Sequence, residues 1–256
     1  VPEPLRLALA PIEVNPPSTI ALIKDKSSIL RRAVWWRGKS LAESYQRELL
    51  CALESMPLLD DSLQRDLALR FYDLILYEDL DYARMAYLNK VLETYRRDRA
   101  EYGFAATKAV IWYLYKVVAI KDEVWVSHLL TSEEKRRRDH ARYRIDPARG
   151  DRIRYVHLNR PELNLFSFKL QFHIRSRPWM LRAVKHMRVL RRLPGWHTRE
   201  CHFRDRYSQL VDCFHYHSKD AYDEFVEVLR LPEQVRGYVE VRYPTMVEPL
   251  RRIEAL

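Results

Sequence analysis

Glycine is the residue this chain has least use for: five among 256. A loop that wraps a phosphate needs glycines so that successive backbone N–H groups can close on the oxygens. Neither G-x-G-x-x-G nor G-x-x-x-x-G-K-S/T occurs, which excludes the nucleotide sites built on those loops. Cysteine is nearly as scarce. Cys51, Cys201 and Cys213 are odd in number and far apart. That spacing supplies no disulfide framework and suits a reducing, cytoplasmic compartment. Three thiols also fall short of the four thiolates an iron–sulfur cluster takes. No apolar run reaches the roughly 20 residues of a membrane span. The longest, around 109–120, is broken by Lys116. No membrane partner is expected. The N-terminus lacks the charged-then-apolar pattern of a signal peptide. Its first residue is Val1, as expected of a processed product or a piece of a longer chain.

What is present is apolar and basic. Hydrophobic residues make up 47%, too many for general disorder, and the formal net charge is +10. The excess is local. Residues 131–206 hold 21 Lys+Arg against 8 Asp+Glu, while the remainder holds 24 against 27. A basic face in the middle of the chain follows, rather than a basic tail.

Five prolines among residues 1–18 predict an extended arm or linker. A helical segment, 19–104, follows. It starts with SSILRRAVWW, broken at Gly38, and Ser40 and Glu43 have the spacing of a capping box. Asp60 or Asp61 and then Asp79 stand where helix caps belong. Leu80, Ala83, Tyr87, Val91 and Tyr95 recur at helical spacing, and Gly103 is a stop. The remainder, 105–256, reads as a helical domain with one β-hairpin at about 152–174. One helix is expected over 105–130 and another from Ser132 to about Arg142. In LFSFKLQFHI the residues alternate with a period of two, as in a strand with one buried face. RIRYVHL is the expected partner strand and NRPELN the connector. Further helices are expected from Pro178 to Pro194-Gly195, over 198–217 and 219–230, at Pro232, and over 245–255. The fold class is mainly α, with several helices and that single hairpin.

Three chemistries can be weighed on spacing. Cys201, His202, Cys213, His215 and His217 crowd one region, but at separations of one and two they point to different sides of a helix. Zinc sites use C-x-x-C or H-x-x-x-H, so no metal is expected. His157 and His173 could face each other across the hairpin. There is no G-x-S-x-G elbow, and no catalytic residue is assigned. The basic set Lys135, Arg136, Arg137, Arg138, Arg182, Lys185, Arg188, Arg191 and Arg192 could neutralise phosphates. No nucleic-acid recognition motif accompanies it, so a docking face for a protein ranks above a basic nucleic-acid-binding protein.

The stretch WYLYKVVAIKDEVW, residues 112–125, is apolar enough for a core yet holds Lys116, Lys121, Asp122 and Glu123. On a regular helix Lys116 and Glu123, seven apart, share a face. A buried charge needs a partner, and Arg236 is a candidate from another helix. The expectation is an interior ion network of Lys116, Lys121, Asp122, Glu123 and Arg236 that sets helix register.

These residues also carry a resemblance. KAVIWYLYKVVAIKDEVWVSHLLT resembles a segment of fused indolepyruvate:ferredoxin oxidoreductases, with Ile120 where that family usually has tyrosine. RPWMLRAVKHMRVLRRLPG resembles its Pro-Trp-Met helix. LPEQVRGYVEV resembles its Leu-Pro-Glu-Gln-aliphatic-Arg-Gly-aromatic run, and YEDLDYARMAYLNKV its tyrosine-punctuated run upstream. The four lie in register across about residues 70–245. Departures fall at His157-Leu158-Asn159-Arg160-Pro161 and at Arg236-Gly237-Tyr238-Val239-Glu240-Val241. The resemblance is to the helical C-terminal domain of those enzymes, not to their catalytic parts. It implies a non-catalytic docking domain or subunit, with no cofactor in this chain. Thiamine diphosphate, 4Fe-4S clusters and coenzyme A would sit on partner domains or subunits, and ferredoxin is a further candidate partner.

Overall fold

The computed structural model describes residues 16–33, 37–153, 157–159, 162–165, 168–171, 174–176, 178–184, 187–192, 195–237 and 239–255. Within them the chain is mainly helical. Almost all of the expected N-terminal arm lies outside these residues. The contacts group the chain into two compact units, one of residues 121–196 and one of residues 16–120 with 197–256. The expected boundary at 104/105 falls inside the second of these.

The larger unit begins with α1 (Thr19–Ala33), α2 (Gly38–Glu54) and α3 (Asp61–Tyr77), which pack on one another. Gly38 stands where the second helix begins, after α1 has ended. It is the buried first residue of α2, and a Cβ there would lie 2.2 Å from the Arg31 carbonyl oxygen. Only a residue without a side chain lets the two backbones approach so closely. Because α2 starts at Gly38, Ser40 falls inside its first turn and the expected capping box does not form. Asp60 does cap α3, accepting from the Leu63 N–H at 2.9 Å. Asp79 caps α4 (Leu80–Ala83) in the same way through the Tyr82 N–H.

α4 passes through a π-helical turn (Arg84–Leu88) into α5 (Asn89–Arg97). A second such turn (Val110–Leu114) joins α6 (Ala105–Ala109) to α7 (Tyr115–Val118). A π-turn and a helix end both leave carbonyls without their usual partner. Two tyrosines, the buried Tyr87 and the half-buried Tyr82, meet two of them. The Tyr87 hydroxyl donates to the Ile111 carbonyl at 2.8 Å, inside the second π-turn. Tyr82 donates to Val118, the last residue of α7, at 2.8 Å. Tyr45 donates to the Ala68 carbonyl at 3.2 Å. Burial pushes the Tyr45 and Tyr87 phenols far above their ordinary value, so both remain neutral donors.

Asp98 ends α5 and is buried. Its carboxylate accepts from Arg99 N, Thr107 N, Thr107 Oγ1 and the Tyr222 hydroxyl, at 2.7–2.8 Å. Four donors around one carboxylate satisfy it without a cation. The unit closes with α11 (Thr198–Asp212), α12 (Lys219–Leu229) and α13 (Val239–Glu254). The Tyr207 hydroxyl donates to Leu229, the last residue of α12, at 2.6 Å. α13 carries Pro244 and Pro249 within it and starts six residues before the expected 245.

The smaller unit holds α8 (Glu123–Thr131), α9 (Glu133–Arg142) and α10 (Pro178–Val184), with α8 packed on both others. Ser132 caps α9 through the Lys135 N–H. Between α9 and α10 lie β1 (His157–Asn159), β2 (Glu162–Leu165), β3 (Phe168–Gln171) and β4 (Ile174–Ser176). β2 pairs antiparallel with β3, Leu165 opposite Phe168, and β1 pairs with β4, making two two-stranded sheets. Both pairs keep one antiparallel register about a single reversal between Leu165 and Phe168, whereas the hairpin expected at 152–174 was to turn in NRPELN. The chain reverses within the alternating run itself, and Glu162–Leu165 of the expected connector is a strand. Alternation fixes a side-chain period but not where a strand turns back. His157 lies opposite Ser176, not His173, and His173 lies outside the described residues. α10 stops at Val184, ten residues short of Pro194.

Candidate functional site

The apolar run holding Lys116, Lys121, Asp122 and Glu123 is not one helix. It breaks after Val118, where Ala119 leaves helical geometry (φ −88°, ψ 75°), and resumes at Glu123. Lys116 and Glu123 therefore share no helix face, and the expected ion network divides.

One part lies in the larger unit. Lys116 Nζ donates to the Pro232 carbonyl at 2.5 Å and to the Glu233 carbonyl at 3.3 Å. Arg236, mostly exposed, donates from Nε to the same Glu233 carbonyl at 3.2 Å. The Tyr113 hydroxyl, one helical turn before Lys116, donates to Glu233 Oε2 at 2.9 Å. Burial and the Glu233 carboxylate both push the Tyr113 phenol up. These contacts tie α6–α7 to the short 3-10 turn Leu231–Glu233.

The other part lies in the smaller unit and centres on Asp122, only 1% exposed. Its Oδ1 caps α8 by accepting from the Trp125 N–H at 2.7 Å. Both carboxylate oxygens also take the Arg191 guanidinium, from Nε to Oδ2 at 2.5 Å and from Nη2 to Oδ1 at 3.1 Å. A two-point arginine–carboxylate pair is the geometry that makes a buried charge tolerable. Arg236 is not its partner. Lys121 is exposed and Glu123 half-buried.

The expected basic face is likewise redistributed. Arg191 is 10% exposed at its side chain and belongs to the ion pair with Asp122. Lys135 pairs with Asp139 and Arg137 with Glu133 along α9. Arg136 and Arg138 are exposed, and Arg188 is half-buried. Lys185 and the side chains of Arg182 and Arg192 lie outside the described residues.

Of the Cys/His region, Cys213 and His215 line an open groove of about 710 Å³ in the larger unit, together with Arg206, Glu224, Phe225 and Glu254. His202 and Arg206 both approach Glu254 at 3.3 Å. The rings of His215 and His217 meet edge to face at 4.5 Å. Among the described residues no group of three or more His, Cys, Asp or Glu is arranged to hold a metal.

A buried charged cluster went unnoticed in the sequence. Glu200 and Arg242 are 5% and 8% exposed. Tyr243 donates to Glu200 Oε2 at 3.3 Å, and His197 Nδ1 lies 3.4 Å from Oε1. Burial opposes ionisation of Glu200, but the neighbouring His197 and the Arg242 charge outweigh it and hold the carboxyl below its ordinary range. A signal was available: Glu200 sits three and seven residues before the buried Phe203 and Tyr207, on the apolar face of α11.

The residues that carry the resemblance thus work inside the fold. Tyr82 and Tyr87 reach carbonyls of the 105–118 segment, Lys116 reaches 232–233, and Asp122 reaches Arg191. No curated protein and no solved structure matches the chain. The profile of one family matches residues 63–254, three quarters of the length, and the chain belongs to it: the family of unknown function DUF6537.

Proposed function

We propose that this chain is a structural and docking domain, or subunit, of a thiamine-diphosphate- and iron–sulfur-dependent 2-oxoacid:ferredoxin oxidoreductase of the indolepyruvate type. That enzyme decarboxylates 2-oxo acids oxidatively to acyl-CoA. The chemistry is carried by partner domains or subunits in a reducing cytoplasm. One observation carries the reading. Of the four segments that resemble that enzyme's C-terminal domain, 108–131 bonds to the other three: through Tyr82, Tyr87 and Lys116 in the larger unit, and through Asp122 in the smaller. Residues engaged with one another in this way give a domain its shape. The role left to the domain is to present surfaces.

The donor set supports the same division of labour. Cys51 and Cys213 are exposed and Cys201 is half-buried, and three thiols do not make a four-thiolate cluster site. No step through a cluster or thiamine is derived for this chain. No described helix is long and apolar enough to cross a membrane.

The test is purification of the tagged chain from its own cells at moderate salt, followed by a visible absorption spectrum and a thiamine assay of what elutes with it. A stoichiometric cluster- and thiamine-bearing partner is the expected result. Turnover of a 2-oxo acid by the chain alone overturns the reading. So does elution with nucleic acid in place of such a partner, with affinity falling steeply as salt rises.

A further inference from the structure

We propose that α9 and the turn after it form the face that meets an acidic protein partner. The inference rests on the docking role above and narrows it to a few side chains. Along α9 the acids and two of the cations are already engaged, Lys135 with Asp139 and Arg137 with Glu133. What faces outward is arginine. Arg136, Arg138, Arg142 and Arg144 are all exposed. Arg136, Arg142 and Arg144 have no ion pair among the described residues, and Arg138 lies 4.0 Å from Asp139.

Their placement is ordered. Arg138 and Arg142, four apart, stack on one side of the helix. Arg136 and His140 stack on the adjacent side, where they line a shallow hollow of about 490 Å³ with Glu133 and Arg137. Past the helix end the Arg142 guanidinium lies 5.6 Å from the Tyr143 ring centroid, and Tyr143 is 38% exposed. Arg144 follows in a left-handed conformation (φ 51°).

The chemistry of the partner follows from this set. Guanidinium groups take carboxylates at two points, and they lose less hydration than ammonium groups do on docking. Exposed arginines with a tyrosine among them are residue types that anchor protein interfaces. A nucleic acid fits less well. Glu133, Glu134, Asp139, Asp146 and Asp151 are interleaved with eight cations over residues 133–152. Those paired acids leave the free cations as separate spots rather than a continuous track for phosphates, whereas a folded protein can place its own acids opposite each arginine.

The experiment uses the full chain and two fluorescent probes at equal salt: an acidic peptide of alternating Asp, Glu and Tyr, and a DNA duplex of matched charge. The triple variant Arg136→Ala, Arg138→Ala, Arg142→Ala should bind the peptide about tenfold more weakly. A control triple that removes the same charge elsewhere, Arg31→Ala, Arg32→Ala, Lys39→Ala, should change binding less than about twofold. Melting curves confirm that both variants fold, as expected for exposed positions. Equal losses in the two triples overturn the proposal, because the binding is then only general charge attraction. No peptide binding by the unaltered chain overturns it too. Tighter binding of the duplex, lost with the α9 arginines, makes the face a nucleic-acid surface instead. Absence of a cofactor-bearing partner in the purification above removes the enzyme assignment and leaves this measurement standing.

Discussion

In the larger unit, residues 16–120 with 197–256, buried polar contacts are made mostly by neutral donors. Tyr45, Tyr82, Tyr87 and Tyr207 each give a hydroxyl proton to a backbone carbonyl, and Asp98 is met by N–H and O–H groups. Among the described residues of the smaller unit, 121–196, the most buried polar side chain is the Asp122 carboxylate, and a guanidinium answers it. The consequences differ. Removing a neutral donor strands one carbonyl, whereas removing one member of a buried ion pair strands a full charge. The smaller unit also buries few large apolar side chains among its described residues, chiefly Val124, Trp125 and Leu181.

The largest expected effect is therefore Arg191→Met. It leaves Asp122 buried without its cation and should cost about 3–5 kcal/mol. Amide exchange should show the loss concentrated in residues 121–196. Exchange rising equally in both units would break the contrast. Tyr207→Phe is the matching test in the larger unit. It strands the Leu229 carbonyl and should cost about 1–3 kcal/mol, read from denaturant midpoints.

Smaller still is the effect of separating Lys116 from its carbonyls. Lys116→Met should cost about 1 kcal/mol, and Arg236→Met less, because Arg236 makes one contact at an exposed site. Combined with Arg191→Met, the Lys116→Met loss should add to within about 0.5 kcal/mol. A larger coupling would restore the single network expected from sequence.

The smallest effect is conditional on pH. The Glu200 carboxyl is held below its ordinary 4.5 in the fold, so the unfolded chain takes up its proton first as pH falls. Its contribution is complete above about pH 4.5 and is lost as pH drops through the lower, folded value. Glu200→Gln should flatten the acid limb of the stability profile and change little of its slope at neutral pH.

Much of the fold was legible because its signals are local. Asp60, Asp79 and Ser132 announce helix starts, since a cap bonds an N–H only three residues away. The break at Ala119 was not legible. No glycine or proline marks it, and the run KVVAIKDEVW keeps an apolar character compatible with a continuous helix. Asp122 did carry the signal of a cap. It was masked by the reading of all four charges as one network. The turn of the expected hairpin was misplaced for a related reason: alternation persists through a reversal, so the one between Leu165 and Phe168 leaves the pattern undisturbed. Of the candidate docking residues, spacing alone could not separate Arg191, which is half-buried and paired with Asp122, from Arg136 and Arg138, which face water.

By itself, then, the amino-acid order determined the helical class, most helix starts, the lack of phosphate loops and the position of the basic excess. Each of these depends on residue type or on contacts within about a turn. Tertiary structure alone decided that Asp122 would meet Arg191, sixty-nine positions away, and that Lys116 and Arg236 would settle on the carbonyls beside Glu233. Coulomb attraction and hydrogen bonding act through space, so the partner of a charge is chosen by which backbone brings it near, and sequence distance carries no record of that choice.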